Sequence, residues 1–313
     1  AFAHLYGTHQ LLQPEEQKLI KGFVLNKFRG DASLLAPGPQ MLEALTGVPT
    51  VATLPMWWQH GLPEEDGLYK PPFSKEGITT TIAIIAYPRI SNLDEFQALN
   101  NVPSVQVKWV RTANELIDAD WLILPGSKNT IADLLWLRSQ GLDKAIANHA
   151  TQGKAVLGIC GGLQMLGEAL IYPHSVAVNA AVLGLLPFVT QFEKYTKVQH
   201  SETQFATDSS GVWTALSDVQ ISGYEIHQGQ TTQHPAMAKA GDVAVCALPN
   251  ALGWQNNKGN VLGIYLHGLF EDEAVLKALF GISTPNLDTV FDGLADFIDD
   301  YFETQFLKKL IKN

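Results

Sequence analysis

Two cysteines, Cys160 and Cys246, are all that 313 residues contain. That rules out a disulfide framework and points to a reducing, cytoplasmic setting. Positive charge is also scarce: 21 Lys and Arg against 31 Asp and Glu leave a net charge of −10. Nucleic-acid binding needs a basic surface to neutralise phosphates, so no nucleic-acid partner is expected. No apolar run approaches the roughly 18 residues of a membrane span, so no membrane partner is expected either. The first residues, Ala1-Phe2-Ala3-His4, carry no basic stretch leading into an apolar one, as a secretory leader would. A G-x-x-x-x-G-K-[ST] phosphate loop is missing, and histidines and acids never fall at metal-ligand spacings, so no metal site is expected.

Charged residues make up only 17% of the chain while hydrophobic ones reach 46%. Such a balance suits α/β domains whose strands are covered on both faces. The length suggests about two domains. Residues 1–56 read as part of an α/β unit, with short strands at Gly22–Asn26 and Thr50–Leu54. Residues 57–78, carrying Pro63, Pro71 and Pro72, read as a linker in which Trp57 and Trp58 pack against one domain. From Thr79 to about Leu170 strands alternate with helices, so a mostly parallel, doubly wound sheet is expected over 79–280. Strands are predicted at 80–86, 105–110, 121–124, 220–227, 242–247 and 261–268. Residues 281–313 form a tail, with one amphipathic helix predicted from Asp288 to Lys312 covering an apolar surface.

The feature that carries chemistry is Val156-Leu157-Gly158-Ile159-Cys160-Gly161-Gly162. An apolar strand ends at Ile159, a helical pattern opens at Gly161, and glycines flank the cysteine at −2, +1 and +2. A nucleophile is placed this way on a turn too tight for neighbouring side chains. The Gly161 N–H would face an oxyanion formed there. Cys246 sits mid-strand without these features and reads as structural. A thiolate needs a proton shuttle. His267 ends an apolar strand before Gly268 and is the first candidate, with His227 second, although a strand-end histidine can equally be a solvated residue. Pro125-Gly126-Ser127-Lys128-Asn129-Thr130 joins a strand to a helix, either as a second oxyanion donor or as an ordinary turn capped by Ser127 or Thr130.

The stretch Gly158-Ile159-Cys160-Gly161-Gly162-x-Gln164-Met165-Leu166-Gly167 resembles the nucleophile motif of class I glutamine amidotransferases. Pro125 to Thr130, Gly223-Tyr224-Glu225-Ile226-His227, Tyr265-Leu266-His267-Gly268-Leu269-Phe270 and Asn26-Lys27-Phe28-Arg29-Gly30-Asp31 narrow the resemblance to the cobyric acid synthase family. It extends from about Ala1 to Leu279. The resemblance implies a glutaminase domain over 79–280 that binds no cofactor of its own. Its donor is glutamine, with Cys160 as nucleophile, His267 as general base and acid, and Gly126 and Gly161 as oxyanion donors. It further implies ATP- and Mg2+-dependent amidation of the b, d, e and g carboxylates of adenosylcobyrinic acid a,c-diamide. Residues 1–56 would be the C-terminal part of a dethiobiotin synthetase-like domain, with Asn26 and Lys27 beside the nucleotide base.

Two departures from the pattern stand out. The acid that class I amidotransferases commonly carry two residues after the histidine is Leu269 here. A Cys–His pair is therefore expected, oriented by another acid such as Glu225, while Tyr224 and His227 are candidates for the substrate side. The family's phosphate loop is also missing. Related alternatives are cobyrinic acid a,c-diamide synthase and the glutaminase that amidates a cell-wall lipid precursor; Arg29-Gly30-Asp31 and Ser127 to Thr130 favour the first reading. A non-catalytic binding remnant is the alternative of another class, and intact Cys160 and His267 argue against it. The chain is expected to be the C-terminal portion of a longer enzyme lacking its N-terminal synthetase part. Sequencing the coding region upstream of Ala1 should reveal a G-x-x-x-x-G-K-[ST] loop; its absence there would leave a split or degenerate enzyme.

Overall fold

Apolar runs recur between Thr80 and Ile159 and become buried strands at Thr80–Ile85, Trp121–Leu124 and Ala155–Ile159, while the alternating Val105–Val110 becomes a half-exposed edge strand. In the computed structural model, which describes residues 1–57, 77–173, 179–282, 287–302 and 306–311, these are β1 (Thr80–Ile85), β2 (Val105–Val110), β3 (Trp121–Leu124) and β4 (Ala155–Ile159). Three later strands join the same sheet: β5 (Val245–Leu248), β6 (Gly253–Gln255) and β7 (Val261–Ile264). The order is β5-β6-β7-β4-β3-β1-β2. The five strands from β7 to β2 are parallel, and β6 and β5 close one edge antiparallel. This is the expected α/β class with a mostly parallel sheet. The expected strand over 242–247 forms only from Val245.

Every residue of β4 is buried, as a central parallel strand demands. Helices α1 (Thr130–Ser139), α2 (Leu142–Thr151) and α3 (Gly161–Leu166) connect and cover the sheet. The Asn129 side chain, rather than Ser127 or Thr130, caps α1 by accepting the Ala132 N–H at 3.1 Å. Parallel strands that share a direction also share a C-terminal edge, and crevices outside that edge are where such sheets bind ligands. Here the C-terminal ends of β1, β3, β4 and β7 lead into Tyr87, Gly126, Cys160 and Tyr265 respectively.

The predicted strand 261–268 breaks at Tyr265. Ile264 is the last residue paired with β4, and Leu266–His267 instead pairs antiparallel with Gln220–His227. Tyr265 makes the change of sheet: its N–H donates to Leu252 O at 2.8 Å and its hydroxyl shares a 2.6 Å bond with Thr231. All eight residues are buried, so no alternation marked the break. Strands Lys197–Gln204, Gln220–His227 and Leu266–His267 make a three-stranded antiparallel sheet. A four-stranded sheet is built from Gln230–Gln233, Phe188–Gln191, Ala169–Ile171 and Ala180–Ala181.

The chain divides into two units, one from residues 63–286 and the other from 1–62 with 287–313. In the latter, strands Phe23–Phe28 and Thr50–Pro55 pair in parallel. Helix Gly38–Thr46 ends at Gly47 with φ 73°, the left-handed stop that glycine adopts without strain. Phe23, Leu42 and Val48 form its small core. The tail is two helices, Leu287–Tyr301 and Phe306–Ile311, not one. Phe302 bridges Ala52, and Trp57 stacks on Phe297 with ring centres 5.0 Å apart. Most of the expected linker, residues 58–76 with Trp58, lies outside the described residues. Among the described residues no helix is long and apolar enough to cross a membrane.

One contact tests the packing of α3 on the sheet. A Cβ added at Gly162 would lie 1.9 Å from the Leu124 carbonyl oxygen, a backbone atom that cannot swing aside. Gly162→Ala is therefore expected to lower unfolding free energy by about 3 kcal/mol or more in a denaturant titration. Gly7→Ala, with nothing within 4 Å of the new methyl, should be neutral or stabilising.

Candidate active site

Cys160 lies between β4 and α3 with φ 51° and ψ −106°, a backbone conformation that a side-chain-bearing residue adopts only when its surroundings impose it. Two bonds do so: its N–H donates to Ile264 O at 2.8 Å, and its carbonyl accepts the Gln164 N–H at 3.1 Å. Gly161 is equally constrained, since a Cβ there would sit 2.8 Å from Ser127 N. The thiol is 6% exposed and donates to Ile226 O at 3.3 Å.

The strand break at Tyr265 delivers His267 to the same place. Its imidazole neighbours Cys160, whose sulfur helps raise its pKa, and its Nδ1 lies 3.2 Å from Glu95 Oε1. The second oxygen of Glu95 accepts the Gly268 N–H at 3.0 Å. His267 and Glu95 are 3% and 2% exposed. Burial alone would lower the His267 pKa, but the neighbouring Cys160 and Glu95 outweigh it and push the value up to about 10. His267 is thus held as an imidazolium beside the Cys160 sulfur.

The turn after β3 packs against both residues. A Cβ at Gly126 would meet His267 Cε1 at 2.6 Å. Tyr87 donates its hydroxyl to Pro125 O, Ser91 N–H donates to Gly126 O at 2.9 Å, and Lys128 N–H donates to Arg89 O at 2.8 Å. Ser127 Oγ donates to the buried Asp133 at 2.6 Å and accepts the Asn129 N–H at 3.1 Å. Gly126 and Gly161 are therefore both brought to the Cys160–His267 pair.

A cavity of about 500 Å³ opens over the cysteine, within the roughly 300–1,000 Å³ common for small-molecule sites. Cys160 and Gln164 line it together with Ser127, Lys128, Ile226 and His227. Tyr172 and Phe192, stacked at 4.2 Å, also line it. Buried Gln164 is fixed by Thr130 Oγ1 at 3.0 Å and Gln228 O at 3.2 Å.

The remaining candidates fall elsewhere. Glu225 does not orient His267: the alternation of its strand turns it onto a separate network, where it accepts from Lys197, Ser201 and Gln199 and faces His227 at 3.5 Å. Burial works to raise its pKa, but these partners hold the carboxyl below its ordinary value. His227 lines the cavity, but its ring stacks on Tyr265 at 3.9 Å and its Nδ1 bonds Gly229 O at 3.1 Å; burial lowers its pKa. Tyr224 is 54% exposed on the opposite face of the strand and is not among the cavity residues. Asn26 and Lys27 are exposed at the end of Phe23–Phe28, in the other unit. Cys246 is exposed in β5. Among the described residues no three His, Cys, Asp or Glu side chains could hold a metal ion. Sequence reasoning missed Glu95, Tyr87 and Asp133. Glu95 reads as a polar position in a helical stretch, and its partner lies 172 residues away.

Residues 81–275 match the family described as CobB/CobQ-like glutamine amidotransferase domain. A cobyric acid synthase from Polaromonas naphthalenivorans (strain CJ2) is 65% identical over 315 residues, covering 99% of this chain and 65% of the relative. Cobyric acid synthases from Polaromonas sp. (strain JS666) and Variovorax paradoxus (strain S110) are each 61% identical, covering 99% of this chain and 65% and 64% of their own lengths. The chain thus spans just under two thirds of the curated relatives it matches.

The raised His267 value has a stability consequence. A histidine whose pKa goes from 6.5 to about 10 on folding contributes stability that is fully present below pH 6.5 and lost as pH rises through about 10. The difference in unfolding free energy between the chain and a His267→Gln variant should therefore shrink between neutral pH and pH above about 10. A constant difference in denaturant titrations across that range would contradict the ion pair.

Proposed function

The chain belongs to the CobB/CobQ-like glutamine amidotransferase family, and on that premise we propose that Cys160 hydrolyses glutamine to supply ammonia. The observation that carries the reading is the strained, buried Cys160 beside the Glu95-bound His267, at a cavity it lines with Ser127, Lys128 and Gln164. The Cys160 thiolate attacks the side-chain amide carbon of glutamine, and the carbonyl electron pair moves onto oxygen. The N–H groups of Gly126 and Gly161 hold that oxyanion. Imidazolium His267 donates its proton to the amide nitrogen as the C–N bond breaks, releasing ammonia and leaving a γ-glutamyl thioester. His267, now neutral, takes a proton from water; the resulting attack yields glutamate and restores the thiolate. Lys128, exposed at the cavity, supplies a positive charge suited to the α-carboxylate of glutamine.

The ammonia serves ATP-dependent amidation of the b, d, e and g carboxylates of adenosylcobyrinic acid a,c-diamide, a reading supported by relatives that are named cobyric acid synthase. The glutaminase domain is 79–280 and lies in the cytoplasm, where its thiol stays reduced. Residues 1–56 belong to the synthetase part, with Asn26 and Lys27 on the nucleotide-base side. ATP phosphates and Mg2+ do not fit this chain's own residues: the sequence has no phosphate loop, and the described residues hold no metal cluster. That half of the reaction belongs to the part of the relatives that the chain does not span.

Unaltered chain incubated with glutamine should release glutamate, and Cys160→Ser should cut the rate by ~10³-fold or more. A serine variant as active as its parent assigns the chemistry to another residue.

A further inference from the structure

We infer that Glu95 is the positioning residue of the Cys160–His267 pair, supplied by the segment after β1 in place of an acid following the histidine. The inference rests on the reading of Cys160 and His267 given above and deepens it. Glu95 uses both oxygens on one target: Oε1 on the imidazole Nδ1 at 3.2 Å, Oε2 on the Gly268 N–H at 3.0 Å. One carboxylate thereby fixes the ring and the backbone just beyond it, which removes rotation of the imidazole as a freedom. With Nδ1–H donated to Glu95, Nε2 is the nitrogen left for Cys160, the tautomer that proton transfer requires. When the Cys160 proton passes to Nε2, the sulfur keeps the electron pair and the imidazolium charge is balanced by Glu95, which itself takes no proton. Leu269, two residues after the histidine, is buried and apolar and can do none of this.

The placement of Glu95 is built rather than incidental. Asn92, at φ 53°, turns the chain into the short helix Leu93–Phe96 that carries it. Just before, Ile90 bridges Ser127 and Ser91 N–H donates to Gly126 O at 2.9 Å. One segment therefore orients the histidine and pins the oxyanion turn. The groups that raise the His267 pKa are Cys160 and Glu95. Around these lie Tyr87, its phenol pushed well up by burial and neighbouring acids, and Tyr265, pushed up to about 12 by burial. Asp133 on α1, its carboxyl raised by burial, is bonded by Ser127. Both phenols stay neutral, and of the two carboxyls Glu95 is the one bonded to the imidazole.

The test is the pH dependence of Cys160 alkylation by iodoacetamide, read by mass spectrometry of the Cys160 peptide so that Cys246 is counted separately. In the unaltered chain, alkylation should persist well below the ordinary thiol midpoint of about 8.5. Glu95→Gln should move the midpoint up by about one pH unit or more. It should also lower glutaminase kcat by ~100-fold with KM changed little, because its amide can hold the wrong tautomer. Glu95→Asp, which keeps the charge, should recover part of both. An unmoved midpoint in Glu95→Gln overturns the inference even if activity or Tm falls, since a merely structural role does not reset the titration. An ordinary thiol profile in the unaltered chain overturns the glutaminase reading and this one with it. If Glu95→Gln does not fold, nitrogen-15 histidine spectra of the unaltered chain decide: a hydrogen-bonded Nδ1 proton on His267 supports the assignment, and its absence overturns it.

Discussion

The site depends on one close crossing of backbones, where Gly161 and Gly162 pass Ser127 and Leu124. Two residues without side chains let the start of α3 lie against the end of β3 at a distance no Cβ tolerates. The approach holds Cys160 in a left-handed conformation that costs of order 1–3 kcal/mol, which the bonds to Ile264 and Gln164 on either side offset. The same crossing brings Gly161 against Ser127, next to Gly126 in the chain. The turn at Cys160 and the turn at Gly126 are thus set by a single packing event between two parallel strands.

Charge is managed by burial in two separate networks. Glu95, His267 and Cys160 share one, in which a carboxylate inside the protein is tolerated because each oxygen has a donor. Glu225, Lys197, Gln199, Ser201 and His227 share the other, on the inner face of the antiparallel sheet. The second network ends at the cavity through His227, whose ring is kept neutral by burial and fixed by Tyr265. Both His267 and His227 were visible as candidates. Their environments separate them: one has a carboxylate on Nδ1, the other a backbone carbonyl.

Much of this was legible along the chain because the signals are local. Glycines around Cys160, the apolar strands before Gly126 and Cys160, and the strand-to-helix turns follow from steric limits within a few residues. The break at Tyr265 was not legible, since uniformly buried residues carry no alternation to show where one sheet is left for another. Glu225 was the wrong acid for the same kind of reason: its side of the sheet is set by pairing with Lys197–Gln204 and Leu266–His267, not by its nearness in sequence to other polar residues.

By itself the sequence determined the fold class, the glycine-flanked turn at Cys160 and the strand that ends at His267, because backbone sterics and hydrophobic periodicity act over short spans. Only the tertiary structure decided which acid serves that histidine. Glu95 and His267 lie 172 residues apart, and nothing in either segment encodes the other's position. They meet because β1 and β7 flank β3 and β4 in one sheet and end at the same edge, an arrangement that exists only once the strands have paired.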